Sequence, residues 1–99
     1  MTDQMSLINL ESQVHHCADI ISTTLDDEVV VMSVDHGNYY SMDVIGSYIW
    51  KLMEKPLQIE TLCTQIMNHF NVDRAECEKD LLTFVDELAQ EGLIDITLL

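Results

Sequence analysis

The chain has 99 residues, with 18 acidic side chains against four Lys and Arg and a formal net charge of −14 at pH 7. That length suffices for one hydrophobic core and is too short for two. The charge argues against a nucleic-acid partner, because affinity for phosphate backbones rests on Lys and Arg, and none precedes Lys51.

Most of the acids cluster in two places. One runs from Asp19 to Asp43 and includes Asp26, Asp27, Glu28 and Asp35; the other runs from Asp73 to Glu91, where only Arg74 and Lys79 oppose them. A basic or amphipathic peptide is the kind of partner such a surface attracts. No apolar run approaches the ~18 residues that span a bilayer, and the N-terminus lacks the basic start and apolar stretch of a signal peptide, so a cytoplasmic location is expected. Cys17, Cys63 and Cys77 are an odd number without paired spacing, which fits reduced thiols. Cys63 and Cys77 lie on apolar helical faces and read as core.

Residues 1–17 hold scattered apolar side chains (Leu7, Ile8, Leu10, Val14) without a sustained period, and read as an irregular or mobile arm. The β-branched run Ile20, Ile21, Thr23, Thr24 predicts a strand over Asp19 to Thr24, and Asp26-Asp27-Glu28 a tight turn. Val29 to Asp35 predicts a second strand. His36-Gly37-Asn38 supplies residues that tolerate positive φ, so Tyr39 to Met42 is expected to return as a third antiparallel strand.

Asp43 stands where a helix N-cap belongs, ahead of a helix from Val44 to about Met53 with Ile45, Tyr48, Ile49 and Leu52 as its apolar stripe. Pro56 breaks the chain. A second helix places Ile59, Leu62, Cys63, Ile66, Met67 and Phe70 at spacings of three and four. Asp73 caps a third, which runs to about Glu91 and stops at Gly92, where a residue without Cβ suits a left-handed exit.

On the third helix Cys77, Leu81, Phe84, Val85 and Leu88 fill an arc of roughly 100° and read as the core stripe. Apolar surface continues past Val85 through Ala89 and Leu82, bordered by Glu78 and Asp86. Glu76, Asp80, Glu87 and Glu91 read as a solvated acidic edge. The apolar shoulder is left over, free to pack on the N-terminal arm, on a second subunit or on a ligand.

His15-His16-Cys17 has metal-ligand residue types, but adjacent residues cannot all converge on one tetrahedral ion, and no second Cys/His pair has zinc-like spacing. His36 and His69 read as solvated. No nucleophile, base and orienting group suggest a shielded catalytic pocket, and glycine-rich phosphate patterns are missing. A binding protein rather than an enzyme is expected, with no cofactor and no metal. The expected fold is α+β and winged helix-turn-helix-like, a three-stranded antiparallel sheet followed by three helices; the acids on the third helix count against DNA binding despite that architecture.

Asp35-His36-Gly37-Asn38-Tyr39-Tyr40-Ser41-Met42-Asp43, then Gly46, Ile49-Trp50 and Leu52, resemble the signature of the PqqD-like family. Its members are recognition elements that bind leaders of ribosomally made, modified precursor peptides (RiPPs). Met42-Asp43 stands where the family usually has Leu-Asn, which keeps an apolar filler and a helix cap. The resemblance continues through Phe70-Asn71-Val72-Asp73, Asp80, Phe84-Val85, Leu88 and Gly92-Leu93-Ile94, and so covers about residues 18 to 95. That divides the chain into the arm, 1–17, and a PqqD-like peptide-binding domain, 18–99. Among such domains the chain is most similar to the stand-alone leader-binding subunits of lasso-peptide systems.

The resemblance implies that a leader adds as a strand beside the third strand, at Asn38, Tyr39, Tyr40, Ser41 and Met42, and that Tyr40 and Met42 point inward. Specificity pockets are expected on the shoulder of Leu82, Val85 and Ala89, with Glu78 and Asp86 meeting basic leader residues at the rim. Expected partners are the precursor leader peptide, a separate cysteine protease and an ATP-dependent cyclase. The alternative is a structural or regulatory interaction domain, homodimeric through the same sheet edge.

Overall fold

A computed structural model describes residues 8–18, 20–34 and 37–98. Its strands are β1 (Gln13–His16), β2 (Ile20–Leu25), β3 (Glu28–Ser33), β4 (Asn38–Ser41), β5 (Leu57–Gln58) and β6 (Ile94–Thr97); its helices are α1 (Val44–Leu52), α2 (Ile59–His69) and α3 (Arg74–Gln90). The fold is α+β, as the sequence predicts.

β2, β3 and β4 form the expected antiparallel meander, with Val31 opposite both Ser22 and Tyr40. Asp26 takes φ 58 in the first turn, a left-handed conformation that Asp tolerates better than most residues. Of the second turn, Asp35 and His36 lie outside the described residues, and the Gly37 amide donates to the Ser33 carbonyl at 2.9 Å. Val29 and Val31 point into the core while Met32 faces outward, the period of two that a half-buried sheet requires.

A second sheet, ordered β5-β1-β6, corrects the reading of the N-terminal residues. Gln13–His16, expected to be irregular, pair with Ile94–Thr97, and Val14 between Leu57 and Ile96 is fully buried. Gln58 precedes α2 without a side-chain cap. The N-terminal segment fills that role: the carbonyls of Ser12 and Leu10 accept from the Ile59 and Glu60 amides at 2.9 and 2.8 Å, satisfying donors that a helix start leaves open. Residues 1–7 of the expected arm lie outside the described residues.

The core gathers Val14, Val29, Val31, Trp50, Leu62, Val85, Leu88 and Leu93 between the sheets and helices. Two helix ends obey their sequence signals. Asp43 Oδ1 accepts from the Gly46 amide at 2.8 Å as the N-cap of α1. At the C-terminus of α3, Gly92 takes φ 75, the Leu93 amide bonds Leu88 O at 3.0 Å, and the Gly92 amide bonds Ala89 O at 3.1 Å. Those two bonds with Leu88 and Leu93 both buried make a Schellman ending. No helix among the described residues is long and apolar enough to cross a membrane.

Candidate functional site

β4 is one of the two outer strands of the meander, and among the described residues no strand pairs with its far side. The Met42 amide donates to Val29 O at 2.9 Å, which sets the phase of the ladder. Counting back by two, the amides of Tyr40 and Asn38 also face β3, so those of Tyr39 and Ser41 face away from the sheet. Side chains alternate likewise. Tyr39, 74% exposed, and Ser41 face outward, whereas Met42 is buried and Tyr40 half-buried, the inward orientation expected for that pair. β4 thus offers unpaired backbone groups at alternate residues.

Ser47 holds this edge in place from α1. Its hydroxyl accepts from the Val29 amide at 2.8 Å and donates to Met42 O at 3.3 Å, clamping the start of β3 to the end of β4. Gly46 allows the close approach. A Cβ there would lie 3.2 Å from Asp43 Oδ1, a tight approach to the cap, and at ordinary contact distance from Met42 Cβ (3.4 Å) and Phe84 Cζ (3.5 Å).

Beside β4 lies a groove of about 560 Å³ between α1, the end of α2 and α3. Met42, Ile49, Ile66, Cys77 and Leu81 supply buried apolar lining. Ile45, Val72 and Phe84 are more exposed, and Asp43, Asp73, Glu76 and Asp80 add four carboxylates to the lining, with no Lys or Arg. Arg74 forms a 3.1 Å ion pair with Glu78. Farther along α3, Glu87 faces Tyr40, whose pKa is raised above the usual tyrosine value first by burial and then by that carboxylate. Asn38 Nδ2 donates to Glu91 Oε2 at 2.8 Å.

The expected site residues therefore divide. Asn38, Tyr39, Tyr40, Ser41 and Met42 lie on or directly after the free-edged strand, and Tyr40, Ser41 and Met42 line the groove. The shoulder of α3 does not. Val85 is 0% exposed, and Leu82 and Ala89 are half-buried against the core. At 100° per residue the shoulder lies about 100 to 160° around the helix from Phe84. α3 packs on β6 as well as on α2, so its apolar arc serves two neighbours and is wider than one contact needs. Glu78 is held by Arg74 outside the groove lining. Asp86 is 7% exposed; its Oδ2 accepts from Gln90 at 2.7 Å, and its Oδ1 has no hydrogen-bond partner.

The side of α3 that meets the groove and β4 is the acidic edge of Glu76, Asp80, Glu87 and Glu91, with Phe84 among them. Phe84, assigned from periodicity to the core, packs half-buried against it and also forms a wall of the groove. An aromatic set between Asp80 and Glu87 on an otherwise charged edge was the available signal for this.

The histidine–cysteine run separates in space. His16 stacks on Trp50 with ring centroids 3.7 Å apart, and its Nε2 bonds Trp50 O at 2.7 Å, while His15 lies 3.9 Å from Asp95. Among the described residues no three His, Cys, Asp or Glu side chains are placed to hold a metal ion. Burial, then a hydrogen bond to Cys63, pushes the Cys77 thiol up to about 12.

The profile of the family described as Coenzyme PQQ synthesis protein D (PqqD) matches residues 28–94. The chain belongs to that family. It is similar to the structure of TbiB1 in complex with the TbiA(beta) leader peptide, at 33% identity and a TM-score of 0.78, over 82% of this chain and 94% of that one. Comparison with curated proteins yields no match.

Proposed function

We propose that this protein binds the leader segment of a ribosomally made precursor peptide and presents it to separate processing enzymes. The leader adds as a strand to β4, its backbone meeting the outward amides and carbonyls of Tyr39 and Ser41, and alternate side chains enter the groove against α3. The observation that carries this is the free edge running beside an apolar groove. The likeness to a protein solved with a leader peptide supports it.

The chain acts here as an adaptor rather than an enzyme. Cys77, the cysteine in the groove lining, has its thiol raised well above neutral pH and offers no thiolate nucleophile. Leader removal falls to a separate cysteine protease and ring closure to an ATP-dependent cyclase, in the cytoplasm, within lasso-peptide or related RiPP biosynthesis. Titration of the purified chain with a fluorescent leader peptide, taken from a precursor gene beside its own, tests the proposal. Saturable one-to-one binding that protects the Tyr39 and Ser41 amides from hydrogen exchange is expected. Binding that leaves those amides unprotected would place the peptide elsewhere.

A further inference from the structure

Two contacts define how β4 runs past α3. Asn38 meets Glu91 at 2.8 Å, and two residues on Tyr40 faces Glu87, one helical turn back. Two strand residues advance about 6.8 Å and four helix residues about 6 Å, so the two elements lie side by side in opposite directions with nearly equal steps. One step on, Met42 and Phe84 come level, both within 3.5 Å of the position a Cβ on Gly46 would take. Beyond Phe84 the same face of α3 presents Asp80 and then Glu76, and Asp43 and Asp73 line the same groove.

An extended peptide beside β4 sends every second side chain toward the groove, also about 6.8 Å apart. Its steps therefore match those of the α3 face. The side chain level with Phe84 meets an apolar mouth that includes Ile45 and Met42, and the next two meet Asp80 and Glu76. Glu91 already holds Asn38 and Glu87 faces Tyr40, whereas the lining supplies no cation to Asp43, Asp73, Glu76 or Asp80. Four carboxylates beside a partly enclosed apolar groove focus a negative potential on it.

We infer that the segment bound in this groove is cationic, with an apolar side chain seated against Phe84 and two Lys or Arg side chains at the next alternate positions, opposite Asp80 and Glu76. This rests on strand addition at β4 and goes further by naming the chemistry of the bound stretch. Uncharged and acidic segments can pair with the same edge but gain nothing from the rim.

The test uses three synthetic peptides whose symmetry makes strand direction immaterial. The first is Lys-Thr-Lys-Thr-Leu-Thr-Lys-Thr-Lys, labelled with fluorescein; the others carry Gln or Glu in place of Lys. Anisotropy titration of the full chain should show the Lys peptide binding about tenfold tighter than the Gln peptide at low ionic strength, with the Glu peptide weakest, as two rim ion pairs of modest individual strength imply. That advantage should shrink as salt rises. The double substitution Glu76→Gln and Asp80→Asn should remove most of it while the Gln peptide binds as before. The salt series needs only the unaltered chain, so the inference stays open to refutation even if the double variant unfolds. Equal affinity of all three peptides overturns the inference and leaves strand addition standing. Failure of every peptide to bind overturns both.

Discussion

The side-chain amide of Asn38 donates to Glu91 Oε2 at 2.8 Å, tying the first residue of β4 to the C-cap of α3. The bond is exposed, so its net worth is about 0.5–1.5 kcal/mol, but it spans the two walls between which a peptide would lie. Asn38→Ala should lower stability by about 1 kcal/mol or less in urea denaturation, while amide exchange along β4 accelerates. Unchanged exchange there would show that Ser47 alone secures the strand.

The ladder phase separates two kinds of proline substitution. Tyr39→Pro and Ser41→Pro delete amides that face away from β3 and should leave the fold intact, as edge strands tolerate proline. Each should weaken leader affinity by roughly 1 kcal/mol, about fivefold, the worth of one backbone hydrogen bond. Tyr40→Pro deletes an inward amide and should destabilise the domain itself. Thermal melts beside anisotropy titrations distinguish the two, and leader binding by both outward variants at full affinity would contradict strand addition.

Phe84 and Leu82 both pack half-buried on the core, but only Phe84 also lines the groove. Phe84→Ala removes a groove wall and should cost on the order of 1 to 3 kcal/mol in leader binding, with a smaller loss of stability than a fully buried phenylalanine would give. Leu82→Ala removes a half-buried side chain packed on the core and should cost about 1 to 2 kcal/mol of stability with affinity per folded molecule unchanged. The reverse pattern would return the pocket to the shoulder.

His16 makes stability depend on mildly acidic pH. Burial lowers its pKa from the ordinary 6.5, against smaller raising effects of the Trp50 carbonyl and Glu54. Below pH 6.5 the unfolded chain therefore takes up a proton that the folded chain resists, and the stabilisation by neutral His16 falls as pH drops from 6.5 toward the lowered folded value. Urea midpoints at pH 7.5 and 5.5 should differ more for the native chain than for His16→Phe, which keeps a ring against Trp50 but cannot titrate. Equal differences would assign the slope to other groups.

Where a local rule acts within a few residues, the sequence was legible. Asp43 caps α1, Gly92 ends α3 and alternating valines build β3, each for a reason readable in place. The second sheet was not legible, because β1, β5 and β6 are two to four residues long and exist through partners distant in sequence. Nothing near Gln58 announces that the carbonyls of Leu10 and Ser12 will cap α2. The site divides similarly. β4 follows from its hairpin, but an amphipathic pattern does not say which neighbour each side of a helix meets. With β6 against α3, the apolar shoulder became interior and the charged edge became the lining.

The pairing of β1 with β6, Gln13 opposite Thr97 through His16 opposite Ile94, also orders events in time. During synthesis β1 is made about 80 residues before its partner β6 exists. The meander needs only neighbouring turns, and contacts between near neighbours form soonest. The edge of β4 can thus be shaped while α3 is still being made, and the β1–β6 clasp closes last, after translation has passed residue 97. A nascent chain would present the strand edge before it owns the acidic face of α3 beside it, and any discrimination by that face would begin only once α3 is in place.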